Sequence, residues 1–336
     1  MLSSHPVLDL THLSKGDRPR GSFANARTWT RASLSPADWT VQLGDAAKKE
    51  LDGAVRQLRR ESLPLYLLEP EHFALTASRA TMAEARRTVD DGPGFAVVDR
   101  LPLDDWSETE TSWVYWLLAK MYSRPVAQTM NGTIMRSVKN DPNDAERGID
   151  AALTDKRLTY HNDNSGNRNL PNYTSLLCLY PSKEGGDSEY VTVCTLYNAL
   201  AKEAPAQLDR LFQPFFHDRR GLQRDGDAKV IWAPCFDMAG DRLLGRFSHN
   251  KITKGYQTAE VQIDNVTLDA LECVQSIVPS RQLSVRYVME RGQIQIIDNH
   301  QGLHFRTDFK DGERLEEKRH LLRMWFREEG RPYFDG

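Results

Sequence analysis

Three short stretches of this chain carry histidine, carboxylate and arginine side chains at spacings that permit metal chemistry. The first is Tyr160-His161-Asn162-Asp163, which closes a run, 157–160, that reads as a strand. Residues i and i+2 of a strand face the same way. His161 and Asp163 can therefore aim an imidazole nitrogen and a carboxylate oxygen at one point. Two histidines and one carboxylate on one face bind Fe(II) and leave coordination positions open for a substrate and oxygen. On its own, His-X-Asp describes a hydrogen-bonded surface pair equally well. The second stretch, Gln293 to Arg306, offers two more histidines, His300 and His304. If it stays extended, four residues at about 3.3 Å each set them roughly 13 Å apart, so one ion takes one of them. Spacing does not choose, and the other is then a histidine hydrogen-bonded beside the site or to backbone.

The third stretch is Lys318-Arg319-His320-Leu321-Leu322-Arg323-Met324-Trp325-Phe326. A period of two places Arg319, Leu321, Arg323 and Trp325 on one face. His320, Leu322, Met324 and Phe326 take the other, which reads as core. Arginines on the first face are either solvated salt-bridge partners or clamps in a barrel mouth, where the planar guanidinium binds a carboxylate with two hydrogen bonds. Gly185-Gly186-Asp187-Ser188, taken alone, is a turn before a strand.

The elements that must position these groups follow from texture. Helices are expected over 45–61, 80–89 and 106–122, with Ser35-Pro36 as a further helix start. Gly92-Pro93-Gly94 opens a buried strand at Phe95 to Val98. Beyond residue 155 the pattern predicts short strands over 157–160, 174–179, 190–196, 283–289, 293–297 and 320–326, with helices near 204–212 and 268–278. Such strands, separated by turn residues, suggest an antiparallel barrel or jelly roll with helices outside. Segment 139–156 is polar and turn-rich, and reads equally as a flap or as a solvated loop.

Composition removes other classes. The chain has 336 residues, and 44 Lys and Arg against 47 Asp and Glu give a formal charge of −3. That leaves no net basic field for a nucleic acid. No apolar run approaches the length of a membrane span and no leader-like segment opens the sequence, so a cytoplasmic protein without membrane partners is expected. Cys178, Cys194, Cys235 and Cys273 match neither a zinc-pair spacing nor a disulfide framework, and are read as buried thiols. No GxSxG or GxxxxGK motif occurs.

Taken together, the His-X-Asp motif, the Gly-Gly-Asp-Ser loop, the Asp-Asn-His-x-x-Leu-His-x-Arg motif and the Arg-x-x-x-Arg strand stand in an order that resembles the Fe(II)/2-oxoglutarate-dependent oxygenases of the taurine dioxygenase superfamily. The likeness is nearest to the clavaminate synthase and amino-acid hydroxylase branch, and spans about residues 92 to 327. It implies an α+β fold with a double-stranded β-helix, or jelly-roll, core over 92–327. Residues 1–90 would be a mostly helical part packed on it, the whole chain forming a single catalytic domain. It further implies Fe(II), 2-oxoglutarate and O₂ as cofactors. His161, Asp163 and His304 would be the metal and catalytic residues, with His304 preferred to His300. Arg319 would hold the distal carboxylate of 2-oxoglutarate, assisted by Ser188, and Arg323, Asn164 and Asn167 would contact the substrate. The expected substrate is a small carboxylate-bearing molecule, a free amino acid or an amino-acid-derived specialised metabolite such as an antibiotic precursor. A carboxylate at position 163 argues for oxygen rather than halogen transfer, hence hydroxylation, with desaturation or cyclisation as the alternative on the same scaffold. A metal-dependent hydrolase or an inactive binding module are the rivals from other classes; the hydrolase leaves Arg319 and the Gly-Gly-Asp-Ser loop without a role. Oligomeric state is not readable from the sequence.

Overall fold

The computed structural model describes residues 6–14, 18–140 and 154–335. The expectation of a flap or a solvated loop at 139–156 falls mostly outside these residues. In chain order the strands are β1 Val7–Asp9, β2 Thr40–Gln42, β3 Phe95–Asp99, β4 Pro125–Val126, β5 Arg136–Lys139, β6 Leu158–His161, β7 Tyr173–Tyr180, β8 Glu184–Gly185 and β9 Ser188–Thr192. There follow β10 Pro214–Asp218, β11 Val230–Pro234, β12 Phe236–Ala239, β13 Arg242–Gly245, β14 Val285–Tyr287, β15 Ile294–Asp298, β16 Gly302–Arg306, β17 Phe309–Lys310 and β18 His320–Phe326.

Two of the sheets make the core. The larger runs β2-β3-β15-β7-β18-β4, with β5 also pairing β18, and the smaller runs β14-β9-β16-β6. They face one another: the Tyr190 ring of the small sheet lies 5.2 Å from the Phe95 ring of the large one. The period-two alternation then decides what each face meets. On the large sheet, Ala96, Val98, Leu177, Ile294, Ile296, Leu322, Met324 and Phe326 point outward into a core shared with the helices Asp45–Arg60, Thr76–Asp91 and Glu108–Tyr122. The first of these buries Ala47, Leu51, Ala54, Val55 and Leu58, a stripe at helical spacing. The third is capped by Ser107 and Glu110, which each satisfy the other's backbone N–H. On the small sheet, Val191 and Leu303 point outward into a second core with the helices Val193–Glu203, Pro205–Leu211, His249–Thr258 and Asn265–Ser280. A jelly roll flanked by helices on both sides results, as expected.

Several local expectations are corrected. Strand β9 ends at Thr192 rather than Leu196, because the Thr192 hydroxyl accepts from the Thr195 N–H and starts a helix at Val193. Ser35-Pro36 does form a cap, but the helix it starts is a single turn, Pro36–Asp38, since Thr40–Gln42 pairs in parallel with β3. The segment before residue 92 thus supplies a strand of the large sheet as well as helices. Strands β10 to β13, which insert between the small sheet's β9 and β14, were not expected. Cys178, Cys194 and Cys235 are buried thiols, while Cys273 is partly exposed.

Gly302, two residues before His304, marks the tightest packing between these elements. A Cβ there would meet the Tyr190 ring at 2.1 Å. Tyr190 has no room to retreat, being fully buried, packed on Phe95 and donating its hydroxyl to the Asp298 carbonyl. Gly302→Ala is expected to lower unfolding stability by about 1–3 kcal/mol, as overpacking does, measurable by chemical denaturation.

Candidate active site

Strand β6 and strand β16 are antiparallel neighbours, and His161 pairs directly with His304. Directly opposite residues share a face, and here it is the inner one: the two imidazole rings lie 4.1 Å apart. Asp163 sits just beyond the end of β6, in a turn rather than on the strand. What aims it is Asn299. The Asn299 side-chain carbonyl accepts from the Asp163 backbone N–H at 2.8 Å, and its amide donates to the Asp163 and Pro171 carbonyls at 3.1 and 3.0 Å. Asn162 ties the same two turns together by donating to the Asn299 and Gly302 carbonyls. Asp298 shapes the second turn, accepting from the His300 and Gln301 N–H groups.

The donor atoms of His161, Asp163 and His304 all lie within 4.8 Å of one another. Both histidine Nε2 atoms stand 3.8 Å from Asp163 Oδ1. That is beyond hydrogen-bond range and of the order that ligands of an ion at about 2.1 Å keep between them. The His161 Nδ1–H donates to the Thr159 carbonyl at 2.7 Å, which leaves Nε2 with its lone pair turned inward. The other carboxylate oxygen is occupied: Asp163 Oδ2 accepts from the Trp325 indole N–H at 2.8 Å and from the Thr174 hydroxyl at 3.2 Å. A single oxygen, Oδ1, is therefore left facing the imidazoles. Burial pushes the Asp163 carboxyl up, but Arg323 and the two histidines outweigh it and hold it well below its ordinary range. Burial lowers both imidazoles; His304, with His161 beside it, falls to about 3. Two neutral imidazoles and one ionised carboxylate are the protonation states that a divalent cation requires of its ligands.

His300 is not part of this cluster; its Nε2 lies 3.5 Å from the Leu170 carbonyl. Arg323 is: its Nη1 lies 3.6 Å from Asp163 Oδ1, and Gln128 accepts from its Nε at 2.7 Å. A cavity of about 110 Å³ opens here, lined by His161, Asp163, Asn164, Asn167, Arg323 and Trp325 among others. Asn164 and Asn167 reach it while folding their own loop, since the Asn167 amide donates to Asn164 Oδ1 and the Asn164 amide to the Asn169 carbonyl. Asn164 has a φ of 59°, a conformation asparagine tolerates better than most residues.

Arg319 precedes β18, and its guanidinium packs 5.3 Å from the Phe309 ring and against Gly186. It is buried, and its Nη1 has no hydrogen-bond partner among the described residues. Burial lowers it to about 10. A buried guanidinium nitrogen without an acceptor is costly, and a carboxylate is the group whose geometry would satisfy it. Gly186 has a φ of 74°, and a Cβ there would come within 3.2–3.3 Å of the Arg319 side chain. Gly186 thus leaves room for the Arg319 side chain. Ser188 is buried on β9, opposite Arg306 and Tyr287, with its strand's inner face toward the barrel.

Sequence reasoning assigned no role to Trp325, Thr174, Asn299 or Gln128. Trp325 was legible as an inward residue from its alternation with Arg323; the other three carried no signal apart from Asn299's place beside the histidine motif.

Residues 59–325 match the family described as taurine catabolism dioxygenase TauD, TfdA family. The chain belongs to that family. Its curated relatives include FR-33289 synthase of Streptomyces rubellomurinus, 26% identical and covering 91% of this chain and 90% of that protein. Another is the taurine hydroxylase-like protein SAT17 of Stachybotrys chartarum, 25% identical over 85% of this chain and 74% of the relative. Among solved structures, an asparagine oxygenase in complex with Fe(II), 2S,3S-3-hydroxyasparagine and succinate superposes with a TM-score of 0.65 at 20% identity, covering 86% of this chain and 93% of that one. The non-heme iron oxygenase OrfP in complex with Fe and alpha-ketoglutaric acid gives 0.62 at 14% identity, covering 86% and 94%. These structures share the fold of this chain.

Two outcomes test the site without reference to turnover. Trp325→Phe removes the shorter of the two hydrogen bonds to Asp163 Oδ2 and should weaken Co(II) binding about tenfold or more, read by titration of the visible spectrum, with little change in unfolding temperature. In metal-free protein, His304 and His217 are lowered from 6.5 to about 3, in both cases chiefly by burial. Between those values the unfolded chain binds more protons than the folded one, so stability rises with pH there. The unfolding temperature of chelator-treated protein should therefore fall steadily from pH 7 to pH 5, and a flat profile would contradict the neutral imidazoles.

Proposed function

We propose that the protein is a non-haem Fe(II)/2-oxoglutarate-dependent oxygenase that oxidises, by hydroxylation, an unactivated carbon of a small acid-bearing substrate. The observation that carries the reading is the convergence of two neutral imidazoles and one carboxylate oxygen on one point of the barrel interior, together with a buried arginine that lacks an acceptor. His161, Asp163 and His304 would hold the iron. Arg319 would take the distal carboxylate of 2-oxoglutarate, with Ser188 on β9 of the small sheet assisting. When bound, iron and the keto acid supply the oxidising power from O₂, yielding succinate and CO₂ as the substrate is oxidised.

The chain's own residues do the rest. Trp325 and Thr174 hold Asp163 to one oxygen, so the carboxylate occupies a single position and leaves others for small molecules. Arg323 keeps that carboxylate ionised and offers an anchor for the substrate's acid group at the cavity wall. Asn164 and Asn167 border the same wall. Tight closure of the barrel around Tyr190, Phe95 and Ile297 keeps water from the interior behind the site. The whole chain acts as one catalytic domain in this reading, because strand β2 from its first part belongs to the same sheet as β18.

Anaerobically reconstituted Fe(II) protein exposed to O₂ should release succinate from 2-oxoglutarate. His161→Ala and Asp163→Ala should abolish that release, while His300→Ala should retain most of it. Arg319→Ala should raise the KM for 2-oxoglutarate by about tenfold or more with a smaller effect on substrate, and Arg323→Ala should do the reverse. Iron binding without any keto-acid binding would favour a hydrolase instead.

A further inference from the structure

The segment before β2 carries no motif, yet it sends a charged side chain into the interior. The side chain of Arg27 is only 7% exposed. A guanidinium out of water demands acceptors and a counter-charge, and Arg27 finds both at one end of the large sheet. Its Nη2 donates to the Asp90 carbonyl at 2.9 Å, in the last turn of the helix Thr76–Asp91, and stands 3.4 Å from Asp298 Oδ2 at the end of β15. Gly94 makes room for it. A Cβ at that position would lie 2.3 Å from Arg27 Nη1, and the Gly94 carbonyl accepts from the Asp298 backbone N–H at 2.8 Å.

The backbone that delivers Arg27 is fixed on both sides. The Arg27 carbonyl accepts from the Thr192 hydroxyl. The Trp29 backbone N–H donates to the Thr195 hydroxyl and its indole N–H to the Pro93 carbonyl, each at 3.0 Å. Residues 27–29 are therefore clamped between the start of the helix Val193–Glu203 and the turn that opens β3.

Asp298, the acid that Arg27 meets, shapes the turn before His304. Its Oδ1 accepts from the His300 and Gln301 N–H groups, each at 2.9 Å, and its Oδ2 from the Gln301 side-chain amide at 2.8 Å. Asn299, the residue between Asp298 and His300, is the one that grips the Asp163 backbone. Arg242 also approaches Asp298, at 3.9 Å, but its side chain is 57% exposed and solvent screens it. Arg27 is thus the nearer and the buried counter-charge. Removing one partner of a buried ion pair leaves the other uncompensated. Asp298 would then be drawn toward Arg242 and solvent, away from the two N–H groups that follow Asn299.

Resting on the metal reading of the site given above, we infer that Arg27 is a positioning residue for the metal centre, acting through Asp298 and Asn299 on the ligand Asp163. The stretch around Arg27 thereby serves the site without lining its cavity.

The test is titration of metal-free protein with Co(II), followed in the visible spectrum, for the unsubstituted chain, Arg27→Met, Asp298→Asn, the double variant and Asp264→Ala. Asp264 caps the helix Asn265–Ser280 by accepting from the Thr267 N–H at 2.7 Å, so its loss lowers stability without touching the turn. Arg27→Met and Asp298→Asn should each weaken Co(II) binding by about tenfold or more, while Asp264→Ala lowers the unfolding temperature and leaves Co(II) affinity unchanged. Because Arg27 acts through Asp298, the double variant should lose no more than the weaker-binding single variant. Unaltered affinity in either single variant, losses that add in the double variant, or an equal loss in Asp264→Ala overturns the inference. Should Arg27→Met fail to fold, Arg27→Gln, which keeps a donor for the Asp90 carbonyl, takes its place with the same expected outcome. If the unsubstituted protein does not bind Co(II), it is the metal reading that fails.

Discussion

A carboxylate buried between two sheets has to be balanced, and the way Asp163 is balanced organises the interior of this barrel. Out of water, an ionised carboxylate survives only with hydrogen bonds and opposite charge around it. Trp325 and Thr174 of the large sheet supply hydrogen bonds to one oxygen. Arg323 supplies charge near the other, and the two imidazoles on the small sheet face that same oxygen. These groups reach the barrel axis from four strands, β18 supplying both Trp325 and Arg323, with Thr174 on β7, His161 on β6 and His304 on β16. The pairing of β18 with β7 and of β16 with β6 is thereby tied to the electrostatics of a single side chain.

The scaffold meets that demand by placing two of its sheet-crossing turns side by side. The chain leaves the small sheet after β6 and enters the large one at β7; it leaves the large sheet after β15 and enters the small one at β16. Asn162 and Asn299 bind the two crossings to each other through buried hydrogen bonds. The donor residues lie beside these crossings, where the backbone is fixed by side-chain amides rather than by a sheet ladder alone. Packing on both outer faces, by separate groups of helices, holds the sheets at the spacing the site needs.

The charge around the cavity adds a second layer of constraint. Arg136 on β5 is paired with Arg323 on β18, and Lys251 lies in the first turn of the helix His249–Thr258; all three line the cavity. The same cavity is bordered by His161 and Asp163. Chemistry at the metal is common to a family, whereas this arrangement of cations is contributed by elements whose sequences are unlike one another and carry no shared motif.

The sequence by itself brought out the candidate residues of the site and most of the elements that carry them. His161 and Arg323 were legible because period-two alternation turns linear order into a choice of face; Asp163, in the turn after β6, and Arg319, just before β18, were legible through their places in the motifs. Order among the four motifs carried the family and, through it, the jelly roll. What only the tertiary structure decided were matters of register between distant segments. Spacing left His300 and His304 equivalent until β16 paired with β6 and set His304 opposite His161. The hold of Asn299 on Asp163 spans 136 residues, and the hold of Trp325 on the same residue spans 162. Arg136 and Lys251 come to one cavity from segments with no motif at all. No local propensity encodes such contacts, because they are selected by the packing of whole sheets and helices, which a linear pattern constrains only in sum.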